Sequence, residues 1–368
     1  MIGSHIRLTC VQTSFFPLLR VAVGTQSEWY TSPKAEDWEK IRKICAQQGV
    51  SAVVFEFVRK LQKPNAPDVK TVMKWLATAT YVEKAMQRMM LTAKEFAAEM
   101  NQRGLPVVVL KGVAFAQYYP NPLHRECGDL DCYMMERKEE GDAVAIEVGA
   151  KMEEAGYKHS HLYYKGLTIE NHHYFTDFDN TKCGKNTERL LRELIKGSCE
   201  PIGDTGLLCP PAEFNALFLL KHAQGHFIDE GIRMRHVLDW GLFLKSQQDV
   251  VDWERMMPII EETKIKQFAG VLTAIVMEFL HIEVGHKPLR ALAEQADKCM
   301  VEAVLDDIMG EQPEIYVKGL VHKTKRIMRR FVRMWRFRSL ASESYARMVW
   351  NSFAFSSYFN RHIKEDFN

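Results

Sequence analysis

The chain has 368 residues, of which 46% are hydrophobic and 26% charged, and its formal net charge is +2 at pH 7. The length allows one large domain or two to three smaller ones, and the near-neutral charge by itself indicates neither a nucleic-acid-binding protein nor an acidic tail. The eight cysteines are scattered and contain no C-x-x-C pair, which indicates reduced thiols and not a disulfide framework. No apolar run reaches the roughly 20 residues of a membrane span. Together these features predict a cytoplasmic protein.

Residues 1–104 are predicted to form an N-terminal helical subdomain. The segment 36–49 has apolar residues at helical spacing and ends at Gly49, and a second periodic segment runs from Asp68 to Arg103 and ends at Gly104. Glycine is the usual residue just after a helix end, so both segments are predicted as helices.

Residues 105–200 have the pattern of a small α/β core. The stretches 105–110 and 129–135 are short and rich in apolar residues, which predicts two buried strands. A short helix is predicted between them, a longer helix over 139–156, and a hairpin over 157–178 with its turn at Lys165-Gly166. The remainder, 201–368, is predicted to be helical, with helices at 211–227, 231–246 and 251–282. The fold class is therefore α+β, a small mixed sheet between two helical regions.

Two aspartates at alternate positions, Asp129 and Asp131, open the second strand. Side chains in a strand alternate between faces, so both carboxylates point the same way. Oxygen ligands suit a hard ion such as Mg²⁺, which takes one or two carboxylates together with phosphate oxygens. Upstream, Gly112 follows a strand and lets a phosphate approach backbone N–H groups, and Lys111 adds a positive charge.

D-x-D alone is weak evidence, because most such triplets are solvated loop or strand-end residues. The chain contains a second copy at Asp177 and Asp179. Only the first copy follows a strand that ends in Lys-Gly and a proline-bounded spacer, so the functional interpretation belongs to Asp129 and Asp131.

This segment resembles the DNA-polymerase-β-like nucleotidyltransferase superfamily, and within it the group of uncharacterised nucleotidyltransferases. That group has Leu-Lys-Gly, then Tyr-Pro, Pro and Arg, then Asp-x-Asp. The matching residues here are Leu110-Lys111-Gly112, Tyr119-Pro120, Pro122, Arg125 and Asp129-Leu130-Asp131. Val113 follows the glycine where the superfamily has serine or glycine, so a hydroxyl contact to phosphate is missing.

The resemblance implies a third acidic residue on a neighbouring strand, followed after one residue by histidine. Glu170 and His172 match that pattern, although the group more often has aspartate at the first position. His172 then either hydrogen-bonds a metal-binding carboxylate, contacts a phosphate, or is simply a hydrogen-bonded strand histidine. The histidines and cysteines lack the spacing of a zinc finger, so a zinc site is not predicted.

A later helical stretch also resembles the group, with His222, Arg235 and Asp239 in matching places. Arg235 and Asp239 are four residues apart, which an ordinary helical ion pair explains. Residues 323–338 hold eight Lys or Arg beside an apolar stripe at helical spacing, formed by Ile327, Phe331, Met334 and Trp335. RNA or an anionic membrane surface could bind there, but a docked helix with a solvated basic face is favoured.

The resemblance implies a nucleotidyltransferase that moves a nucleoside monophosphate from an NTP, with ATP expected, to an acceptor hydroxyl of a small molecule or a protein. Asp129, Asp131 and Glu170 are the predicted catalytic and metal-binding residues for Mg²⁺, with Mn²⁺ as the other possible ion. The predicted nucleotide-binding residues are Lys111, Gly112, Arg125 and His172. Two alternatives stay open: a non-catalytic nucleotide- or partner-binding regulator, resembling an antitoxin, and a metal-dependent phosphohydrolase that uses the histidines with Asp239.

Overall fold

The structure is a computed structural model that describes residues 9–29, 33–156, 158–176, 181–310 and 320–350. Four N-terminal helices precede the sheet: α1 (Cys10–Ala22), α2 (Trp38–Gln47), α3 (Ser51–Val58) and α4 (Val69–Gln102). Three helices accompany the strands: α5 (Val113–Ala116), α6 (Lys138–Glu147) and α7 (Lys182–Leu194). The described C-terminal helices are α8 (Ala212–Asp229), α9 (Met234–Gln247), α10 (Trp253–Glu262), α11 (Lys266–Phe279), α12 (Lys287–Glu294), α13 (Lys298–Met309) and α14 (Leu320–Arg336).

The strands are β1 (Val107–Val109), β2 (Asp129–Tyr133), β3 (Lys151–Ala155), β4 (His159–Tyr164), β5 (Leu167–His172), β6 (Glu200–Pro201) and β7 (Leu207–Cys209). Among the described residues they form one mixed sheet in the order β3-β4-β5-β2-β1-β7-β6. The pairs β2–β5 and β1–β7 are parallel, and the other neighbours are antiparallel. The predicted α+β class is confirmed.

One face of the sheet is covered by apolar helix surface. The C-terminal half of α4 packs there through residues such as Phe96 and Met100, against Leu130 and Cys132 of β2 and Ile169 of β5. The opposite face is apolar around β1, where Val108 and Tyr133 join the larger core formed by the other helices. The rest of that face carries polar side chains, which is where the predicted site lies.

The division into three parts at residues 104 and 200 stays a prediction. The helix α4 packs on the sheet as well as on α2 and α3, and the sheet continues to Cys209. No described helix is long and apolar enough to cross a membrane.

The predicted helix over 139–156 is wrong in its second half. The helix α6 ends at Glu147, and the chain turns at Gly149, whose φ of +102° is incompatible with a continuing helix. Residues 151–155 then pair with β4 as an edge strand. The predicted hairpin is confirmed: Lys165 and Gly166 both have positive φ, as a two-residue hairpin turn requires.

The predicted helix over 251–282 is two helices. The chain breaks between Glu262 and Lys266, where Lys264 has a φ of +53° and the Thr263 hydroxyl donates to the Ile259 carbonyl oxygen. No glycine or proline marks this break in the sequence. The short strands β6 and β7 and the helix α7 were not predicted.

Candidate active site

The first strand ends in a tight turn that only glycine fits. Gly112 has φ +64° and ψ −108°, which is the conformation of the first central residue of a type II′ turn. A Cβ atom on Gly112 would lie 2.6 Å from Cys127 Sγ. Cys127 in turn donates to the Asp129 carbonyl oxygen at 3.2 Å, so the turn lies directly against the start of β2. The glycine keeps Lys111 next to the strand that carries the aspartates.

The parallel pairing of β2 with β5 brings the predicted acidic residues onto one face of the sheet. Asp131 is opposite Glu170 in this register, and Asp129 is opposite Thr168. Alternation sends the intervening residues, such as Leu130 and Ile169, into the apolar core on the other face. The two strands therefore present carboxylates side by side.

Asp131 is the centre of the cluster. Its side chain is 0% exposed, and its Oδ1 lies 2.9 Å from Lys111 Nζ and 3.1 Å from His172 Nε2. Its Oδ2 is buried and has no hydrogen-bond partner among the described residues. A buried carboxylate oxygen without a donor is costly unless a cation is bound, so the residues present fit a metal ion at this position.

The hydrogen bonds of His172 indicate an imidazolium ion. Its Nδ1 lies 3.0 Å from the Tyr174 carbonyl oxygen, which can only accept, and its Nε2 faces Asp131. Burial alone would lower the pKa of His172, but its hydrogen bonds to Asp131 and Glu170 outweigh burial and raise it. The charged ring adds a second positive neighbour to Asp131.

The two aspartates differ although they are two residues apart on one strand. Burial alone would raise the pKa of Asp131, but the Lys111 charge and the His172 hydrogen bond outweigh it and lower that pKa below its usual value. Burial, with repulsion from Asp131, raises the pKa of Asp129. Lys111 stays charged, because the carboxylates of Asp131 and Asp129 outweigh burial and raise its pKa. A divalent cation would relieve the repulsion between the aspartates.

Glu170 lies among three histidines. Its carboxylate is 3.5 Å from His172 Nε2, 3.8 Å from His159 Nε2 and 3.8 Å from His161 Nδ1. Burial would raise the pKa of Glu170, but the hydrogen bond from His172 and the nearby positive charges outweigh it and lower that pKa. Burial and the charge of His172 lower the pKa of His159 to about 4, so this ring is neutral at pH 7.

His159 and His161 of β4 were not predicted as site residues. A signal was present: a two-residue turn at Lys165-Gly166 fixes the hairpin register, which places His161 opposite Glu170 and His159 opposite His172. Within the described part of the chain, two groups of three side chains have one ligand atom each within 4.8 Å of one another: His159–His161–Glu170 and Asp131–Glu170–His172. Glu170 belongs to both groups. Asp129 belongs to neither group, although it lies on the same face.

Arg125 lies in a buried ion pair. Its Nε and Nη2 donate to Asp239 Oδ1 and Oδ2 at 2.9 and 2.8 Å, and Tyr119 Oη donates to the same carboxylate at 2.7 Å. The expected pair of Arg235 with Asp239 is therefore wrong, because Asp239 turns to Arg125, and Arg235 donates to the Glu126 carbonyl oxygen. A phosphate contact of Arg125 stays a prediction.

Three predicted features remain: His222, the phosphohydrolase alternative and the second D-x-D copy. Burial, and next the charge of Lys111, lower the pKa of His222, so a neutral imidazole faces the site from α8. Both oxygens of Asp239 accept from Arg125, which does not support a phosphohydrolase built on that carboxylate. The rival residues Asp177 and Asp179 lie outside the described residues.

The basic segment 323–338 lies on α14, whose side chains are described from residue 327 onward. Arg330 pairs with Asp229 and Arg333 with Asp307, and Met334 is buried. Trp335, by contrast, is 54% exposed. Arg336 also pairs with Asp306, so the helix is docked through part of the predicted stripe and three of its arginines are engaged within the protein.

Comparison with known families gives one decisive match. The model of a family described as uncharacterised nucleotidyltransferase matches residues 34–281, about two thirds of the chain. The chain belongs to this family. This nucleotidyltransferase is therefore a transferase, and its general function is nucleotidyl transfer with an NTP as substrate. No curated protein and no solved structure matches the chain. The match includes the whole of β2, β4 and β5.

Proposed function

We propose that this nucleotidyltransferase uses Mg²⁺ to move a nucleoside monophosphate from an NTP, ATP in the first instance, to an acceptor hydroxyl. The observation that carries the proposal is the pair Asp131–Glu170, side by side on parallel strands. One buried oxygen of Asp131 has no hydrogen-bond partner among the residues that the structure describes. Asp129, Asp131 and Glu170 would hold the metal. Bound magnesium supplies positive charge to the triphosphate and to the attacking and leaving oxygens.

The protein's own cations would neutralise the phosphates. Lys111 carries its charge at neutral pH and lies at the edge of the carboxylate cluster, so it can exchange part of its contact with Asp131 for a phosphate oxygen. Gly112 allows the turn that keeps Lys111 beside β2, since a side chain there would displace Cys127. His172 orients Asp131 and Glu170 by donating to both, and Glu170 favours loss of the acceptor's proton.

Arg125 supports the same turn from within the protein. One of its nitrogens lies 4.0 Å from the position that a Cβ on Gly112 would occupy, and its other nitrogens are held by Asp239. We assign it the role of holding the Lys111-Gly112 turn, with any phosphate contact made through Nη1. A cytoplasmic location agrees with an NTP as substrate.

A specific observation favours a second candidate, a non-catalytic nucleotide- or partner-binding regulator. Lys111 already neutralises Asp131 without any metal. A protein that has lost turnover but kept nucleotide affinity would have the same contact.

Incubation with each NTP labelled at the α-phosphate tests the proposal. With Mg²⁺ and a pool of candidate acceptors, including the protein itself, the label should move to an acceptor from at least one NTP. The Asp129→Asn variant is the control and should transfer none. Binding of NTP without transfer to any acceptor would instead favour the regulator.

A further inference from the structure

Two histidines of β4 lie beside the carboxylate cluster and have no role in the proposed transfer. His159 and His161 alternate along the strand, so both side chains point to the face that carries Glu170. Their side chains are 21% and 32% exposed, and that of Glu170 is 16% exposed. The three side chains border solvent and line the outer side of the cluster.

The distances among these side chains suit a single metal ion. His159 Nε2 lies 3.1 Å from His161 Nε2 and 3.8 Å from Glu170 Oε2, and His161 Nδ1 lies 3.8 Å from Glu170 Oε1. Ligand atoms around a tetrahedral ion with bonds of about 2.0–2.1 Å are about 3.3 Å apart. The two contacts of His161 use different ring nitrogens, so a shared ion would take one of them after a small rotation of the ring.

An unsatisfied polar atom beside Glu170 points independently to a bound cation at the carboxylate position. Asp131, 1% exposed, keeps a buried Oδ2 that no described residue contacts by a hydrogen bond. At the histidine position, His159 Nε2 faces both His161 and Glu170, so this nitrogen is the ligand atom that His159 would offer. Glu170 belongs to the ligand groups on both sides, so its two oxygens can each face a different ion.

The ligand chemistry separates the two positions. Imidazole nitrogen suits Zn²⁺, Co²⁺ and similar ions, whereas Mg²⁺ prefers an octahedron of oxygen ligands. Three protein ligands with solvent access leave a coordination position open, as in catalytic rather than structural zinc sites.

We propose that His159, His161 and Glu170 form a second metal site that takes a borderline divalent ion such as Zn²⁺ and discriminates against Mg²⁺. Glu170 bridges this site to the carboxylate position at Asp131. The site lies outside the set of residues assigned to nucleotide transfer, apart from Glu170. Its occupation needs no nucleotide and no turnover, so it stands or falls separately from the proposed function.

Titration of the metal-free full-length protein with Co²⁺ tests this proposal. The titration is followed by the visible absorption of the bound ion, without nucleotide and with excess Mg²⁺ to fill the carboxylate position. Under these conditions we expect one Co²⁺ to bind per chain, and we expect Zn²⁺ but not Mg²⁺ to displace it. His159→Ala and His161→Ala should each weaken Co²⁺ binding by more than roughly 10- to 100-fold, which is the usual cost of losing a residue that only hydrogen-bonds to a metal ligand.

Two control variants test whether the loss of Co²⁺ binding is specific to His159 and His161. His286→Ala removes a histidine that pairs with Asp249 on the surface and should bind Co²⁺ as the wild type does. Asp129→Asn should also keep Co²⁺ binding, although it abolishes transfer. The conservative variants His159→Gln and His161→Gln replace the alanine variants if those fail to fold.

The outcomes are decisive. Co²⁺ binding that survives in both histidine variants, or that Mg²⁺ displaces at equal concentration, overturns the second metal site. Co²⁺ binding that is lost in those variants, in a protein that transfers no nucleotide, upholds the site while the proposed function fails.

Discussion

At the scale of single residues, Asp129 and Asp131 have the same chemistry and opposite environments. Asp131 is buried between Lys111 and His172 and stays ionised, whereas Asp129 is only partly buried and is repelled by Asp131. A structural role and a metal-binding role therefore overlap in Asp131 but not in Asp129. The two residues should respond differently to the same substitution.

Asp129→Asn and Asp131→Asn should both lower nucleotide transfer by roughly 100-fold or more, as loss of a group that stabilises transition-state charge does. Asp129→Asn should change the free energy of unfolding by less than about 0.5 kcal/mol, or raise it, because a repelled charge is removed. Asp131→Asn should lower it by about 1–3 kcal/mol, because Lys111 and His172 lose their charged partner. Turnover is measured with Mg²⁺ and the free energy of unfolding by denaturant in EDTA. Equal losses of stability in the two variants would contradict the different environments assigned to Asp129 and Asp131.

Lys111→Met keeps the aliphatic stem and removes the charge. We expect a loss in NTP affinity and turnover of about 1.5–3 kcal/mol together, which is roughly 10- to 150-fold. Lys138→Met is the matched control, because Lys138 makes an ion pair of the same 2.9 Å length with Asp142 near the other face of the sheet. Steady-state kinetics should show a loss in the first variant alone. Equal kinetics in the two variants would remove Lys111 from the phosphate site.

At the scale of elements, the turn between β1 and α5 determines where Lys111 and β2 meet. Gly112 needs its positive φ, and it also needs the space that a side chain would take from Cys127. Gly104, at the end of α4, has a similar φ of +71° but nothing within 4 Å of an added Cβ. Gly104 therefore reports the cost of a positive φ without crowding, whereas Gly112 adds crowding and a ψ of −108° that lies outside the left-handed helical region.

Gly104→Ala should destabilise the protein by about 1–2 kcal/mol, the cost of a left-handed conformation for a residue with a Cβ atom. Gly112→Ala should cost about 1–3 kcal/mol more, because Cys127 Sγ must also move. Adding Cys127→Ala to Gly112→Ala should restore part of that difference. Denaturant unfolding gives the three values, and equal costs for the two single substitutions would show that crowding at Gly112 is relieved at no cost.

How much of these elements could be predicted depends on the range of the interaction that determines them. Alternation within one strand correctly placed Asp129 with Asp131, and Glu170 with His172, because it is local. The same reasoning extended through the hairpin turn would have found His161. The parallel register that sets Asp131 beside Glu170 could not be predicted, since β3 and β4 intervene in the chain. Nor could the break at Lys264, which no glycine or proline marks.

At the scale of the whole molecule, a buried network connects the sheet to the C-terminal helices. Asp239 of α9 accepts hydrogen bonds from Arg125 and Tyr119, which lie in the connection between β1 and β2. Arg125 is 114 positions from Asp239 in the chain, and Tyr119 is 120 positions from it. Sequence spacing therefore favoured Arg235, four positions away, as the partner of Asp239. The network ties the connection that follows the Lys111-Gly112 turn to α9.

Asp239→Asn should lower the free energy of unfolding by about 3–5 kcal/mol at pH 7, because it leaves Arg125 buried without its partner. Burial would raise the pKa of Asp239, but Arg125 outweighs it and lowers that pKa. A carboxyl whose pKa is lower in the folded state stabilises the fold above its unfolded pKa of about 3.9, and this stabilisation disappears as the pH falls. The stability difference between wild type and variant should therefore shrink below about pH 4.

Denaturant unfolding at a series of pH values measures this difference. Asp204→Asn, which breaks an exposed pair with Lys94, is the control and should change the denaturation midpoint little at any pH. A difference for Asp239→Asn that is the same at pH 6 and at pH 3 would show that the Asp239 charge does not stabilise the fold.

The most direct test of the central claim, nucleotidyl transfer at the Asp129–Asp131–Glu170 face, follows the two ends of the triphosphate in parallel reactions. Wild-type protein is incubated with Mg²⁺, an acceptor pool and NTP labelled at either the α- or the γ-phosphate. We predict α-label on the acceptor and γ-label in pyrophosphate, with neither product from Asp129→Asn. Transfer of γ-label to the acceptor, release of γ-label as inorganic phosphate, or the same products from Asp129→Asn would contradict the claim.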